Sequence, residues 1–268
     1  MSRLAKLTAA LGAQQAQAEL RWMLRELKAE AVDDAVKLRS QGYPLQYILG
    51  TQPFGGLDII CKPGALIPRW ETEEWCLKLS KSLNPLENNK VLDMCTGTGC
   101  VLFLLLHELH NMNKSNRASI KTNSIFTGIG IDNSDAALDV SRQNLNQLPA
   151  LEPLRSRIEL LNHDIHKPLP ASALSSTVVT ANPPYIYSLN EADSSVSEHE
   201  PRNALLHQPR IYEDLVHRTL ETSATKAVFE VGYLNQIDTC VDIFHKHKWR
   251  AWGEKDSNDN WRTVWAEK

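Results

Sequence analysis

The chain has 268 residues, 42% of them hydrophobic and 23% charged, with a formal net charge of −3. Such a chain suits one large domain, alone or with a small appendage, and carries enough apolar side chains for a core without disulfides or metals. The basic surplus of a protein that lives on a phosphate backbone is missing, and five cysteines, an odd number with no CxxC pair, speak for reduced thiols inside a cell and against a disulfide framework or zinc site.

Residues 1–18 hold Arg3 and Lys6 and no acid, and Leu4, Leu7 and Leu11 fall on one helical face. Two readings fit: a mitochondrial targeting peptide, or the first helix of the fold. From 14 to 40 the texture is helical, with Leu20, Met23, Leu24 and Leu27 at helical spacing and Gly42 and Pro44 closing the segment. It changes between 45 and 66, where Gly50, Pro53, Gly55, Gly56, Pro63 and Gly64 punctuate short β-prone runs, Tyr47–Leu49 and Leu57–Ile60 among them. That pattern reads as a hairpin linker.

A different rhythm starts at Lys90. A short strand over 91–94 meets a glycine turn and then an apolar helix over 100–109. The run His107–Asn113 has two histidines without HExxH spacing, so it reads as a helix end entering a polar loop that lasts to 124, with no metal expected. Strands are expected over 125–132, 157–164, 176–185 and 226–233. Helices are expected over 134–148, 210–223 and 234–247, and a final strand pair over 249–254 and 260–268. Alternation of this kind gives a mostly parallel sheet covered on both faces, here with an antiparallel edge. No apolar run approaches the length of a membrane span.

The run Asp93-Met94-Cys95-Thr96-Gly97-Thr98-Gly99 leaves a strand and opens a helix. Glycines there let the backbone turn tightly and approach a ligand with no Cβ between them. Ligands of doubly wound sheets lie at the carboxyl ends of the strands. The next strand ends in Asp132, an acid placed to accept both hydroxyls of a ribose, and the one after it ends near Asp164 and Ile165, where an adenine would lie. The dinucleotide fingerprint GxGxxG is absent. A tight turn without a ligand is the alternative, and Asp164 taken alone reads as a loop residue.

Asn182-Pro183-Pro184-Tyr185 follows the apolar run of the fourth strand. Two prolines fix φ twice and remove two N–H donors, so the carbonyls are held outward as acceptors. Asn182 adds a side-chain carbonyl and Tyr185 a flat aromatic face. That set suits a planar NH2 group, whose two hydrogens the Asn182 side chain and the Pro183 carbonyl can grip beside an activated methyl donor. The alternative is a rigid turn after a strand.

Taken together these residues resemble the HemK/PrmC family of protein glutamine-N5 methyltransferases. The resemblance covers nearly the whole chain from about residue 18. It rests on the linker at 42–56, LIPRWETE at 66–73, DMCTGTGC, GIDNSDAAL, NPPYI, Glu200-Pro201-x-x-Ala204-Leu205, FEVG and the closing DSNDNWRTV. It implies a seven-stranded Rossmann-like class I methyltransferase sheet of α/β class at 67–268, behind a small α-helical substrate-docking domain at 1–44 and a β-hairpin linker at 45–66. It implies S-adenosylmethionine as cofactor and the GGQ glutamine of a class 1 peptide chain release factor as substrate, with no nucleic-acid or membrane partner. By position, Asp93, Cys95 to Gly99, Asp132, Asp164, Ile165 and Asn182 would line the cofactor. Asn182 to Tyr185 would hold the glutamine amide, with Arg69, Glu71 and Glu200 near it.

The chain departs from the family pattern at Trp70, where proline is usual, and at Cys95, which replaces the commoner first glycine. Ile165 stands where some relatives carry an aromatic, and the helical domain reads as shortened to about two helices. The N-terminal domain, the acid-free N-terminus and the polar insertion together suggest a mitochondrial enzyme, with a bacterial-type cytoplasmic one as alternative. A DNA or RNA amino-methyltransferase could use the same Asn-Pro-Pro-Tyr grip, but it calls for a basic groove that the charge does not provide. Trp249, Trp252, Trp261 and Trp265 read as core and edge packing, and the acidic run Glu191–Glu200 as a solvated loop.

Overall fold

The computed structural model describes residues 2–116 and 125–268. The N-terminal helices are α1 (Arg3–Leu11), α2 (Ala13–Glu26), α3 (Val32–Ser40) and α4 (Leu45–Leu49). Ser2 opens α1 with a side-chain cap on the Ala5 N–H at 3.2 Å, and Gly12, at φ 82°, closes it. Leu7, Ala16, Met23, Val32, Ala35, Val36 and Leu45 make a core of their own. Behind it, Arg39 and Glu19 form a buried two-pronged ion pair, Nε to Oε2 at 2.6 Å and Nη2 to Oε1 at 3.1 Å. Leu7 is fully buried, so Arg3–Leu11 serve as the first helix of the fold. The domain has three helices of nine or more residues and a short fourth, not two.

The β-prone run Tyr47–Leu49 belongs to α4. Pro44 stands at its N-cap, and Gly50 ends it in the left-handed region at φ 87°, so flanking residues override the local strand preference. β1 (Thr51–Phe54) and β2 (Leu57–Ile60) then pair antiparallel. The hairpin is no loose tether, because Phe54, Leu57 and Ile59 are buried in one cluster with the helices behind the main sheet. α5 (Trp70–Ser82), which nothing in the residue pattern singled out as an element, lies in that cluster through Trp75, Cys76 and Leu79.

Among the described residues, seven further strands form the main sheet. They are β3 (Asn89–Met94), β4 (Phe126–Asp132), β5 (Ile158–Asn162), β6 (Val178–Ala181), β7 (Lys226–Glu230), β8 (Arg250–Lys255) and β9 (Trp261–Glu267). Their order is β5-β4-β3-β6-β7-β9-β8. The first five run parallel, and β9 inserts antiparallel between β7 and β8. Helices α6 (Cys100–Asn116), α7 (Asp135–Gln147), α10 (Ile211–Glu221) and α11 (Leu234–Lys246) cover the two faces, with the short α8 (Ser194–His199) and α9 (Arg202–Leu205) at the carboxyl ends of the strands. Leu102 to Leu106 of α6 are all fully buried, each contributing roughly 1.5–3 kcal/mol relative to exposure.

α6 continues into the stretch read as a polar loop. Met112 packs on the core, and Asn113 Nδ2 donates to the Pro85 carbonyl at 2.8 Å, so polar residues extend the helix by finding tertiary partners. The rest of that stretch, 117–124, lies outside the described residues. The acidic run folds into α8, and Glu200 after it is buried. Trp249 and Trp265 are buried in packing roles and Trp252 is partly buried on the edge strand β8, whereas Trp261, at the start of β9, is exposed.

Candidate active site

The carboxyl ends of β3, β4 and β6 converge on a cleft open to solvent. Its floor is the turn after β3. Thr96 N–H donates to the Ile131 carbonyl at 3.0 Å, and Gly97 N–H donates to Asp132 Oδ2 at 3.0 Å. Asp132 Oδ1 accepts the Ser134 N–H at 2.9 Å. The carboxylate is thus held by two backbone donors with lone pairs left over, and burial pushes its pKa above the usual range.

Asp93 stiffens the same turn from below. Its Oδ2 accepts from Thr96 Oγ1 at 2.6 Å and its Oδ1 from Thr180 Oγ1 at 2.7 Å. Burial pushes its pKa up to about 7, against the opposing pull of those two hydrogen bonds. Cys95 adopts φ 58°, beside Gly97 at 57° and Gly99 at 82°. A glycine-preferring backbone explains why Cys95 stands out at its position. At Gly99 the need is steric too: an added Cβ would lie 2.3 Å from the Phe103 ring.

Of the residues singled out in the sequence, Asp93, Cys95 to Thr98, Asp132, Asp164, Ile165, Asn182 and Pro184 line this cleft. Gly99 shapes the turn from behind. Pro183 is buried beside the wall, and the Tyr185 ring packs over Gly232 while its carbonyl accepts from Gln236 Nε2 at 2.9 Å. Glu200 stands just outside the cleft lining, where its Oε2 accepts the Ile67 N–H at 2.9 Å and its Oε1 accepts from Arg69 Nη2 at 2.6 Å. It ties together two segments, 64–68 and 203–208, that lend Leu66, Pro68, Asn203 and Gln208 to the cleft wall. Glu71 lies in the first turn of α5.

Sequence reasoning missed Thr72, His166, Asn203 and Gln208, which also line the cleft. No spacing rule finds them, because they arrive by tertiary contact. His166 Nδ1 meets Asp214 Oδ2 at 2.6 Å and its Nε2 meets Gln208 Oε1 at 3.2 Å. The Asp214 hydrogen bond raises the imidazole pKa, with burial opposing it.

Asn182 carries the chemically telling detail. Its Nδ2 donates to Thr72 Oγ1 at 3.1 Å, while its Oδ1 is buried and has no partner. An unpartnered buried acceptor on a cleft wall calls for a donor from a ligand. Together with the glycine turn and the free lone pairs of Asp132, it fits a nucleoside cofactor on one side and an NH2 group on the other.

No protein-family model matches the chain. A Schizosaccharomyces pombe protein described as a probable MRF1 mitochondrial N(5)-glutamine methyltransferase is 31% identical over 281 aligned residues, spanning 93% of this chain and 86% of its own. The Saccharomyces cerevisiae mitochondrial MRF1 N(5)-glutamine methyltransferase is 32% identical over 273, spanning 94% and 80%. A Mycobacterium tuberculosis release factor glutamine methyltransferase is 33% identical over 181, spanning 66% and 52%. Among solved structures, the catalytic domain of human METTL16 with an RNA hairpin has TM-score 0.56 at 15% identity, spanning 88% of this chain and 82% of that one. The METTL16 N-terminal domain with SAH has TM-score 0.54 at 13%, spanning 100% and 94%. Likeness at that identity speaks for the class I methyltransferase fold alone. The identity to the yeast proteins, held over almost the full chain, goes further: the chain belongs to the N(5)-glutamine methyltransferase family, the HemK/PrmC family.

Proposed function

We propose that this chain transfers the methyl group of S-adenosylmethionine to the side-chain amide nitrogen of the GGQ glutamine in a mitochondrial class 1 release factor. The observation that carries the reading is the buried, unpartnered Asn182 Oδ1 beside the glycine turn. The names of the two yeast relatives support the substrate and the compartment.

Asp132 would hold the ribose diol, the Gly97–Gly99 turn the backbone side of the cofactor, and Asp164 and Ile165 the adenine. When bound, the cofactor supplies a methyl group already activated by its sulfonium. The residues of the chain do the rest by placement. An amide nitrogen is a poor nucleophile because its lone pair is delocalised. Asn182 Oδ1 and the Pro183 carbonyl would each accept one of its hydrogens, which favours the geometry that localises the lone pair. The same acceptors stabilise the nitrogen as it turns positive in the transition state. The N-methyl amide cation of the substrate is acidic enough to lose its proton to water, so no dedicated base is required. Tyr185, pressed on Gly232, stiffens the corner. Arg69, Glu71 and Glu200 border the approach, and residues 1–44 serve as the docking domain for the release factor.

Purified chain, labelled cofactor and release factor test this. Label should appear on the GGQ glutamine by tandem mass spectrometry and vanish with a Gln→Ala substitution there. Label retained on that control, or carried by nucleic acid instead, contradicts the reading. Asn182→Ala should lower single-turnover transfer by roughly 10²–10³-fold while SAH affinity changes little by calorimetry.

A further inference from the structure

Glu230 ends β7 and is completely buried, outside the cleft lining. Its Oε2 accepts from Thr72 Oγ1 at 2.6 Å and from Trp75 Nε1 at 2.8 Å. Thr72 and Trp75 lie on the opening turns of α5, and both are buried. Thr72 Oγ1 in turn accepts from Asn182 Nδ2 at 3.1 Å. A continuous path therefore runs from an interior carboxylate to the amide that faces the cleft.

A hydroxyl has one proton. Facing a carboxylate oxygen that already accepts from Trp75, Thr72 donates its one hydrogen bond to Glu230. Only acceptor capacity then remains on Oγ1 for Asn182. The NH2 end of the Asn182 amide must face Thr72, so the carbonyl end must face the cleft. The two ends of a carboxamide have nearly the same shape, and only their hydrogen-bond partners decide which way it lies. Reversed, Asn182 would present N–H groups to a substrate NH2, donor against donor.

We infer that Glu230 is a positioning residue for methyl transfer: through Thr72 it fixes the orientation in which Asn182 presents its carbonyl to the substrate amide. The inference rests on the proposed glutamine reaction for its kinetic consequence and on geometry alone for the orientation. It explains why an acid is kept in the interior beneath the cleft, where isolated charge is disfavoured. It also gives α5 a catalytic purpose, since its first turn is the only link between Glu230 and Asn182 among the contacts described.

The test compares an acceptor with a non-acceptor of similar shape. Glu230→Met should lower kcat for release-factor methylation about 100-fold, with SAH affinity within about threefold of wild type. Glu230→Gln keeps an oxygen facing Thr72 and Trp75 and should recover at least about tenfold of that loss. Thr72→Val and Thr72→Ser form a second pair, serving also if Glu230→Met does not fold: Val should lose the activity and Ser restore it. Independently of substrate, the Asn182 side-chain NH2 resonances, assigned by their loss in Asn182→Asp, should shift and lose exchange protection in Thr72→Val but not in Thr72→Ser. Wild-type protein that methylates no glutamine would sink the proposed reaction and leave the orientation to the resonance test. Active wild type with Glu230→Met or Thr72→Val within about twofold of its kcat, or unchanged Asn182 resonances in Thr72→Val, overturns the inference.

Discussion

At the scale of single residues, backbone angle and side-chain crowding make separable demands on the turn after β3. Gly97 and Gly99 both have positive φ, but an added Cβ at Gly97 meets open space while one at Gly99 strikes Phe103 and Ser141. Gly97→Ala should therefore cost about 1–2 kcal/mol, the backbone penalty alone. Gly99→Ala should cost more than that, because the Phe103 ring must also move. Urea denaturation midpoints of the two variants check the order. Asp93 sets a pH dependence. Burial raises its pKa to about 7, so between an unfolded value near 4 and that figure the folded chain holds a proton that the unfolded chain has lost. Its contribution to stability is complete below the unfolded value and is lost as pH rises towards 7, at a slope of at most about 1.4 kcal/mol per unit. The stability of wild type relative to Asp93→Asn should fall across that window; a difference that rises with pH would contradict the burial argument. Asp132, Asn182 and the glycines were legible in the sequence because strand, turn and ligand-facing residue are contiguous there. Thr72, Glu230 and His166 were not, because their roles depend on contacts across 110 positions for Asn182–Thr72 and 158 for Thr72–Glu230.

Secondary-structure elements divide the same way. The strands of the sheet region and helices α6, α7, α10 and α11 follow from periodicity, since each buries one stripe or both faces; the short α8 and α9 do not. α5 has end charges that suit a helix, with Glu71 and Glu73 at its positive end and Lys81 at its negative end. Its apolar residues Trp75, Cys76 and Leu79 make too short a stripe to outweigh the preceding Pro68. α4 is hidden in the sequence because its β-prone run sits between a proline start and a glycine stop. α1 is the element whose status matters most. Leu7 is buried against α2 and α3, so Leu7→Ala should cost about 2–5 kcal/mol. The loss should appear as faster amide exchange in α1–α3, with the sheet unaffected. Exchange unchanged in those helices would mean that residues 3–11 do not belong to the folded domain. Besides its own pairing and its buried apolar residues, the hairpin is held by Asn144. That buried side chain accepts the Ile60 N–H at 2.7 Å and donates to the Thr98 carbonyl at 3.1 Å, joining linker and cofactor turn.

For the whole molecule, alternation of strands and helices announced a parallel sheet, and the closing tryptophan-rich pair announced its antiparallel edge. Strand order was beyond periodicity: β6 lies beside β3, and β9 slips between β7 and β8, because order is set by which crossover packs its helix where. The fold alone would not separate a glutamine from a nucleic acid as substrate, since the RNA-bound METTL16 domain shares it. What favours a glutamine is 31–32% identity to the yeast glutamine methyltransferases, held over 93–94% of the chain. In the proposed reaction a proline-stiffened corner presents Asn182 Oδ1 to a planar amide beside the cofactor turn. A crystal structure with SAH and a release-factor domain bearing the GGQ loop tests it most directly. In that complex the glutamine NH2 should lie within hydrogen-bonding distance of both Asn182 Oδ1 and the Pro183 carbonyl, with the SAH ribose on Asp132. A glutamine bound elsewhere, or Asn182 turned to offer its NH2 instead, would contradict it.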